Sequence, residues 1–320
     1  MIHQLNIYGR DKVETAIMRL QSYEPPEGYY VAFSGGKDSQ CVYHLCKMAG
    51  VKFDAHYSVT SIDPPELVRF IKTHYPDVKF EHKKDRNGKP VTMWSLIPEK
   101  GIPPTRTVRY CCEELKESSG AGRFTVTGVR AAESGNRKRN QGVITVPKAG
   151  RKFQKMLEEE NVNFTQTPRG GVVLNYDNSE KRRMAEHCIR TGKALLNPII
   201  DWEEEDVWEF LNRNGIEHCC LYDQGYRRLG CIGCPMNTAA AADLERYPAY
   251  KRLYLKAFEK MIKVRIERGL GVEGKWSTPE KVMKWWLELP DDYDLNITEK
   301  DKEIINRLDE IGTGKEPTTP

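Results

Sequence analysis

The sequence predicts an α/β protein with a doubly wound, mainly parallel sheet, a basic insertion and a helical segment towards its C-terminal end. Short runs of apolar, aromatic and β-branched residues alternate with stretches of helical periodicity, as in successive βαβ units. A glycine-rich polar turn joins the first of these runs to a helix. The residues after position 240 show helical patterns. These three observations indicate the fold class and place a ligand-binding edge beyond the strand ends.

The elements of the first half alternate in type. Apolar residues at helical spacing, such as Ala16 and Leu20, predict an amphipathic first helix. Pro64 and Pro65 precede another predicted helix, because proline is tolerated in the first helical turn. The strand candidates are short and rich in aromatic or β-branched residues. The predicted order is helix 11–22, strand 29–33, helix 40–48, strand 51–59, helix 66–74, strand 78–82 and strand 124–129.

The second half begins with a basic, turn-rich stretch at residues 136–190, which predicts an insertion or lid with a short helix at 154–160. Core character returns at 197–202, ahead of a predicted helix at 203–214. Further helices are predicted at 239–268, broken near Pro248, and at 278–289, with a frayed tail from residue 312. We therefore expect an α/β domain over residues 1–240 and a helical region over 241–320.

The turn after the first strand has the features of a phosphate site. Free backbone N–H groups and a helix N-terminus meet there, and the side chains add a cation and short hydroxyl donors. Its residues are Ser34, Gly35, Gly36, Lys37, Asp38 and Ser39. The Walker A spacing is absent, because an aspartate follows the lysine. The turn Gly128-Val129-Arg130 ends another predicted strand at the same edge of the sheet. The sequence therefore predicts a nucleotide site.

Charge is distributed unevenly along the chain. The net charge is +4, but residues 130–193 hold 14 Lys and Arg against 7 Asp and Glu, a net +7. A local basic excess favours phosphate-bearing partners, including nucleic acid. The alternative is a solvated insertion with no polyanion partner. Aromatic residues are sparse there (Phe153, Phe164 and Tyr176), so the sequence does not indicate a base-stacking platform.

The N-terminal residues lack the basic and apolar regions of a signal peptide, and no apolar run approaches the ~20 residues of a membrane span. We expect a cytoplasmic protein without membrane contact. Nine cysteines then do not indicate a disulfide framework, because that compartment keeps thiols reduced. Cys41, Cys46 and Cys188 are predicted to be packing residues. The others cluster as Cys111-Cys112, Cys219-Cys220 and Cys231-x-x-Cys234.

Four ordered motifs resemble the phosphoadenosine phosphosulfate (PAPS) reductase family within the adenine nucleotide α-hydrolase, or PP-loop, superfamily, whose fold is HUP-like. The resemblance covers roughly residues 25–240, interrupted by the basic insertion. SGGKDS itself resembles the PP-loop of the ATP pyrophosphatases, which grips the β,γ-pyrophosphate. The motifs are SGGKDS (34–39), RYCCEELK (109–116), TGVRAAES (127–134), and the segments NPIIDW (197–202), DVW (206–208), GY (225–226) and GCIGCP (230–235).

The sequence departs from the reductases of this family in two ways. Those enzymes use a cysteine near the C-terminus as nucleophile, whereas no cysteine follows Cys234. They also carry a degenerate loop without lysine, whereas Lys37 is present. The chain therefore resembles more closely the ATP pyrophosphatases, such as the DndC-like sulfur-transfer component of DNA phosphorothioation and the tRNA-thiolating enzymes. The resemblance implies ATP, Mg²⁺, a nucleic-acid acceptor docked by the basic insertion around Arg137–Arg139, and a sulfur donor such as a cysteine desulfurase.

The cysteines have two interpretations in this resemblance. Cys111 and Cys112 with Cys231 and Cys234 resemble the ligands of the iron–sulfur adenylylsulfate reductases. Alternatively, Cys220, Cys231 and Cys234 supply three thiolates and Cys112 the fourth, as in DndC-like proteins. Either set suits a [4Fe–4S] cluster, with zinc as the alternative. Cysteines that bind no metal are a third interpretation.

The resemblance also implies roles at the nucleotide site. Lys37 would neutralise pyrophosphate charge and Asp38 would help to position magnesium. Arg130, close to Gly128, would reach a phosphate, and Glu133 would orient Arg130 or the metal; a structural ion pair is the alternative for these two. Asp63 would contact the nucleotide, unless it only forms the turn before Pro64. The expected function is adenylation of an acceptor for sulfur transfer. The alternatives are a sulfonucleotide reductase with a thiol partner and a non-catalytic nucleotide-binding subunit.

Overall fold

The computed structural model describes residues 11–117, 119–147, 149–159, 162–168, 170–174 and 194–308. The predictions for Cys188, Tyr176 and the tail from residue 312 lie outside these residues. The described residues form two units. The sheet unit comprises those of Met1–Ser58, Pro65–Glu81 and Ser118–Leu229, and the helical unit those of Val59–Pro64, His82–Glu117 and Gly230–Pro320. The two units are interleaved along the chain, whereas the sequence analysis had expected two consecutive domains.

The sheet unit is built on a mixed sheet to which the described residues contribute eight strands in the order β3-β2-β1-β4-β8-β5-β7-β6. The five strands from β3 to β8 pair in parallel. The remaining neighbours pair antiparallel. The strands are β1 Tyr29–Ala32, β2 Phe53–Ser58, β3 Lys79–Glu81, β4 Thr125–Val126, β5 Ile144–Val146, β6 Thr165–Gln166, β7 Val172–Leu174 and β8 Leu195–Leu196. The prediction of an α/β fold with a mainly parallel central sheet is confirmed.

The described residues also form twelve α-helices. They are α1 Lys12–Ser22, α2 Lys37–Ala49, α3 Pro65–His74, α4 Met93–Lys100, α5 Tyr110–Cys112, α6 Gly135–Asn140, α7 Arg151–Glu159, α8 Glu204–Arg213, α9 Ala240–Arg246, α10 Pro248–Glu267, α11 Pro279–Trp286 and α12 Glu299–Arg307. A π-helical turn at Glu113–Glu117 extends α5, and 3₁₀ turns lie at Ala131–Glu133 and Gly274–Trp276. In the described part of the chain, no helix has both the length and the apolar character needed to cross a bilayer.

The described part of the basic insertion differs from the expected lid. Two of its segments, Ile144–Val146 and Val172–Leu174, are buried at every position and join the main sheet as antiparallel strands. Each is a short apolar run between turn residues, which is the pattern of a fully buried strand. The basic residues around these runs obscured the pattern. This part of the insertion therefore extends the sheet.

Helix α2 starts earlier than the sequence analysis expected. It begins at Lys37, not at residue 40, with Gly36 as its N-cap residue. Gly50 ends it in the left-handed conformation, with φ of 67°. Glycine is favoured there because it has no Cβ to clash. The early start places Lys37 and Asp38 in the first turn of the helix, directly after the strand.

The helical unit has its own apolar core. Tyr254 and Phe258 of α10 pack with Trp286 of α11 and with Met93 of α4. Pro248 separates α9 from α10, as the sequence predicted, because proline is accepted at the start of a helix. The sequence analysis did not identify α4 or α12. Helix α12 has no buried residue.

Candidate functional site

The loop after β1 is shaped by Gly35. This residue has φ of 73°, and a Cβ at this position would lie 2.7 Å from Ile71 and 2.8 Å from Leu67. A side chain at this position would therefore meet both strain and overlap. Glycine allows the chain to turn sharply from β1 into α2. The turn brings the backbone of the loop to the N-terminus of the helix.

The two serines of the loop stabilise it from within. The Ser34 N–H donates to Ser39 Oγ at 3.2 Å, and the Ser39 hydroxyl donates to the Gly36 carbonyl at 2.8 Å. The first N–H groups of α2 have no acceptor within the helix, and the helix dipole favours an anion beside them. A Cβ on Gly36 would meet Ser34 Oγ and the Tyr222 hydroxyl, each at 3.5 Å. The N–H groups at the start of the helix, bordered by these two hydroxyls, can receive a phosphate group.

The Lys37 side chain is buried, with 4% of its surface exposed. Its Nζ donates to the Arg227 carbonyl at 3.0 Å and lies 3.5 Å from a Glu204 carboxylate oxygen. The ring centroids of Trp208 and Tyr222 are 5.9 and 5.6 Å away. An Asp38 carboxylate oxygen lies 4.0 Å from it. The ammonium group is thus enclosed by a carbonyl, two carboxylates and two aromatic rings.

Asp38 and Arg130 form a close ion pair beside the loop. Arg130 Nε donates to Asp38 Oδ1 at 2.5 Å, and the arginine is 4% exposed. Burial opposes the charge on Arg130, but the carboxylates of Asp38 and Glu133 outweigh it and raise the pKa of the guanidinium. The Glu133 carboxylate accepts from the Arg130 N–H at 3.3 Å and pairs with Arg137. The structure therefore brings Asp38, Arg130 and Glu133 together, with each charge already paired.

Gly128 allows the end of β4 to approach the start of α2. A Cβ on Gly128 would lie 2.8 Å from both the carbonyl carbon and the carbonyl oxygen of Asp38. Because these are backbone atoms in a helical turn, they cannot rotate away. Glycine at this position therefore lets the segment after β4 come close to the first turn of α2, and the Asp38–Arg130 pair depends on this short separation.

Asp63 lies in the helical unit, next to Cys231. Its Oδ2 accepts from the Thr60 N–H at 3.1 Å and from the Thr60 hydroxyl at 2.7 Å. The Cys231 thiol lies 3.8 Å from its Oδ1. The structure thus shows Asp63 in a turn with a cysteine neighbour, and its role as a nucleotide contact stays a prediction.

Four of the five candidate metal ligands belong to the helical unit, and two of them have a cation beside the sulfur. Lys116 Nζ donates to Cys231 Sγ at 3.3 Å, and an Arg109 N–H donates to Cys112 Sγ at 3.2 Å. A hydrogen bond from the Cys111 thiol, with help from Arg109, lowers the pKa of Cys112. The four cysteines of the helical unit are Cys111, Cys112, Cys231 and Cys234.

The chemistry of these four thiols fits a cluster or zinc, and the two cations would offset the charge of thiolate ligands. Among the described residues, however, no three cysteine, histidine or carboxylate side chains converge closely enough to hold one metal ion. The thiols would have to turn towards one another to bind it. The fifth candidate, Cys220, is exposed and belongs to the sheet unit. Cys41 and Cys46 are fully buried, as expected of packing residues.

Sequence analysis missed the groups that enclose Lys37. Glu204 and Trp208 lie on α8, and Tyr222 and Arg227 lie in the irregular segment that follows Cys219-Cys220. These residues line a cavity of about 320 Å³. The nearby Gly225-Tyr226 motif marked the segment as one of interest. Nothing in its composition indicated that it contacts the loop.

Comparison with known proteins gives the family. Residues 28–237, about two thirds of the chain, match the model described as the phosphoadenosine phosphosulfate reductase domain. An uncharacterized protein of Methanocaldococcus jannaschii is 26% identical over 273 residues, which is 81% of this chain and 52% of the relative. Adenosine 5'-phosphosulfate reductase of Neisseria meningitidis serogroup B is 37% identical over 60 residues, 19% of this chain and 24% of that enzyme. The chain thus spans about half the length, or less, of these curated relatives.

One solved structure aligns with much of the chain. The PAPS reductase of Candida auris, in complex with phosphate, aligns with a TM-score of 0.40 and 12% identity over 69% of this chain and 87% of that one. A likeness of this size carries no argument about the site. The family match spans the phosphate loop, Gly128, Arg130 and the cysteine motifs. On this basis the chain belongs to the phosphoadenosine phosphosulfate reductase domain family.

Proposed function

We propose that this protein is an ATP pyrophosphatase of the PP-loop type that adenylates an acceptor for sulfur transfer. The outer phosphates of ATP would bind the Ser34–Ser39 loop. An acceptor oxygen would attack the α-phosphorus, and the bond from that phosphorus to the bridging oxygen would break. Pyrophosphate would leave with Mg²⁺. The observation that supports this most strongly is the glycine loop at the N-terminus of α2 with a lysine in its first turn.

The chain's own residues would act by positioning and by neutralising charge, which is what phosphoryl transfer requires. Lys37 would balance the charge of the leaving pyrophosphate. The Asp38–Arg130 pair offers a carboxylate for a magnesium-bound water and a guanidinium for a phosphate oxygen. Because the two are joined at 2.5 Å, each holds the other in place before the ligand arrives.

A nucleic-acid acceptor would dock through the basic insertion. Lys138 and Arg139 are exposed on α6, whereas Arg137 is paired with Glu133. Contacts from exposed cations to phosphates would make binding sensitive to salt and indifferent to base sequence. The sulfur would come from a donor protein such as a cysteine desulfurase.

A [4Fe–4S] cluster would be held by Cys111, Cys112, Cys231 and Cys234, with zinc as the alternative. These four belong to one unit, whereas Cys220 belongs to the other. When bound, a cluster would supply thiolate-ligated iron that can carry electrons or sulfur. Lys116 and Arg109, beside two of the sulfurs, would offset its negative charge.

The test is pyrophosphate release from ATP, measured with DNA, tRNA or small molecules as acceptors and with a persulfide donor. Replacing Lys37 by alanine removes the cation beside the leaving group, and we expect release to fall about 100-fold. The matched control is Lys47→Ala, which removes an exposed lysine near the other end of the same helix. Unchanged turnover and ATP affinity in Lys37→Ala would refute the proposal.

A second candidate is a sulfonucleotide reductase, which the name of the Neisseria relative favours. It would convert PAPS or adenylylsulfate to sulfite with electrons from a thiol partner. Incubation of the protein with each sulfonucleotide and a thioredoxin-type reductant separates the two. Sulfite formation without pyrophosphate release from ATP would replace the first proposal with the second.

A further inference from the structure

Residues 218–229, which we call the strap, form an irregular segment beside the phosphate loop. Cys219 and Leu221 are fully buried and anchor its first part. Three successive turns follow, closed by backbone hydrogen bonds at 3.0 to 3.2 Å, and Gly225 has φ of 88°. Residues 223–225 and 227–228 are exposed. A segment with buried anchors and an exposed, turn-rich course can move as a unit.

The first contact of the strap with the loop is the Tyr222 hydroxyl. The Lys37 N–H donates to Tyr222 Oη at 2.9 Å. The same oxygen lies 3.5 Å from the position a Cβ would take on Gly36, at ordinary van der Waals distance. Burial raises the pKa of Tyr222, so the group is a neutral hydroxyl that accepts from the amide. It stands where an oxygen of a bound phosphate would accept from the helix N-terminus.

The second contact involves the Lys37 side chain. The Arg227 carbonyl of the strap accepts from Nζ at 3.0 Å, and Glu204 of α8 lies 3.5 Å from it. The rings of Trp208 and Tyr222 complete the surroundings, in the manner of an aromatic receptor for a cation. The ammonium group therefore has a full set of partners without any phosphate.

We propose that the strap is a latch that competes with phosphate for Lys37. This inference rests on the phosphate site of the proposed function. With the latch closed, the backbone donor and the ammonium group of Lys37 are both engaged. A phosphate on the loop displaces the Tyr222 hydroxyl and draws the ammonium group away from Glu204 and Arg227. Because the two states exclude each other, phosphate binding releases the strap, and release of the strap favours phosphate binding.

The first test is the affinity for inorganic pyrophosphate with Mg²⁺, measured by calorimetry on the full chain. Tyr222→Phe keeps the ring and removes the hydroxyl that competes with phosphate. We expect it to bind pyrophosphate about 3- to 10-fold more tightly, the range of one neutral hydrogen bond. Glu204→Gln weakens the other contact and should act in the same direction. Tyr293→Phe removes a tyrosine hydroxyl from the helical unit and is the matched control.

Weaker binding by Tyr222→Phe would mean that the hydroxyl contacts the phosphate, and it would overturn the latch. Unchanged binding would overturn it as well. Failure of the wild-type protein to bind pyrophosphate would instead count against the proposed phosphate site. The two proposals are therefore tested separately by the same titrations.

The second test is limited proteolysis with trypsin, followed by mass spectrometry of cleavage after the exposed residues Arg227 and Arg228. Without ligand, we expect Tyr222→Phe to be cut there several-fold faster than the wild type. Pyrophosphate should speed the same cleavage in the wild type. Equal rates in the two proteins, or protection by pyrophosphate, would contradict the latch.

Discussion

Two glycines determine how closely the phosphate loop approaches its neighbours. Gly35 turns the backbone where a side chain would overlap Ile71, and Gly128 lies against the backbone of Asp38. Neither position admits a Cβ without movement of the atoms around it. The geometry of the loop therefore depends on the absence of a side chain at these two positions. The same reasoning explains why the Asp38–Arg130 pair can be so short.

Replacing Gly128 by alanine tests this at the residue scale. The new Cβ would lie 2.8 Å from two backbone atoms of α2, so the helix must shift. Overpacking of this kind lowers the free energy of unfolding by about 1 to 3 kcal/mol. Urea denaturation followed by circular dichroism measures the loss. Gly135→Ala is the control, because a Cβ there meets nothing within 4 Å and lies at the start of α6. Equal stabilities of the two variants would contradict the argument.

At the scale of elements, a polar network joins three strands through Asp54. This residue of β2 accepts from His56 of the same strand at 2.5 Å, from Lys79 of β3 at 3.1 Å and from Arg123 before β4 at 2.5 Å. Tyr30 of β1 stacks on His56, with ring centroids 4.1 Å apart. One face of this part of the sheet is thus held by charge and hydrogen bonds.

The network makes the free energy of unfolding depend on pH in the acidic range. Burial alone would raise the pKa of Asp54, but hydrogen bonds from Arg123, His56 and Lys79 outweigh it and lower the pKa well below the usual value. A carboxylate with a lowered pKa stabilises the fold above the unfolded pKa of about 4, and this contribution is lost as the pH falls below it. We expect this carboxylate to contribute about 1 kcal/mol to the free energy of unfolding, since its side chain is partly solvated.

Asp54→Asn should therefore flatten the fall in stability as the pH drops below about 5, because an ordinary carboxyl has a pKa of roughly 4 and the pKa of Asp54 is lowered in the fold. Urea unfolding at a series of pH values provides the measurement. The exposed Asp292 offers the control, because Asp292→Asn should leave the fall in stability at low pH as it is in the wild type. If the free energy of unfolding falls as steeply at low pH in Asp54→Asn as in the wild type, other carboxylates cause the loss of stability.

The helices and strands also show where sequence patterns were sufficient to predict the structure. Strands β1 to β4 and helices α1 to α3 were predicted within a few residues, because most of them carry an apolar pattern or a cap such as Asp11. The two-residue parallel strand β8 was not predicted. Strands β5 and β7 were missed because each has three residues and lies among basic residues. Helix α12, which buries none of its residues, was not identified either. Weak or short patterns require tertiary contacts to become recognisable.

At the scale of the whole molecule, the candidate phosphate site and four of the candidate cysteine ligands belong to different units. The phosphate loop, the strap and Cys220 belong to the sheet unit. The cysteine pairs Cys111-Cys112 and Cys231/Cys234 belong to the helical unit, with Lys116 and Arg109. Both ligand sets considered from the sequence included Cys231 and Cys234. The proposed cluster uses the set without Cys220, whose four members belong to one unit.

Iron and sulfide analysis of anaerobically purified protein tests this assignment. We expect iron in the wild type and in Cys220→Ser, and its loss in Cys231→Ser, because only the second variant removes a ligand of the favoured set. Circular dichroism controls for folding of both variants. Loss of iron from Cys220→Ser would support the other ligand set, and stoichiometric zinc without iron in the wild type would refute the cluster.

The sequence by itself determined the mainly parallel α/β fold and the phosphate loop, because both depend on local order: apolar runs at strand and helix spacing, and six consecutive residues between a strand and a helix. Only the tertiary structure decided which groups surround Lys37. Tyr222 lies 185 residues further along the chain and meets the Lys37 N–H at 2.9 Å. Contacts over such separations arise from packing of distant segments, and no periodicity or composition in either segment encodes them.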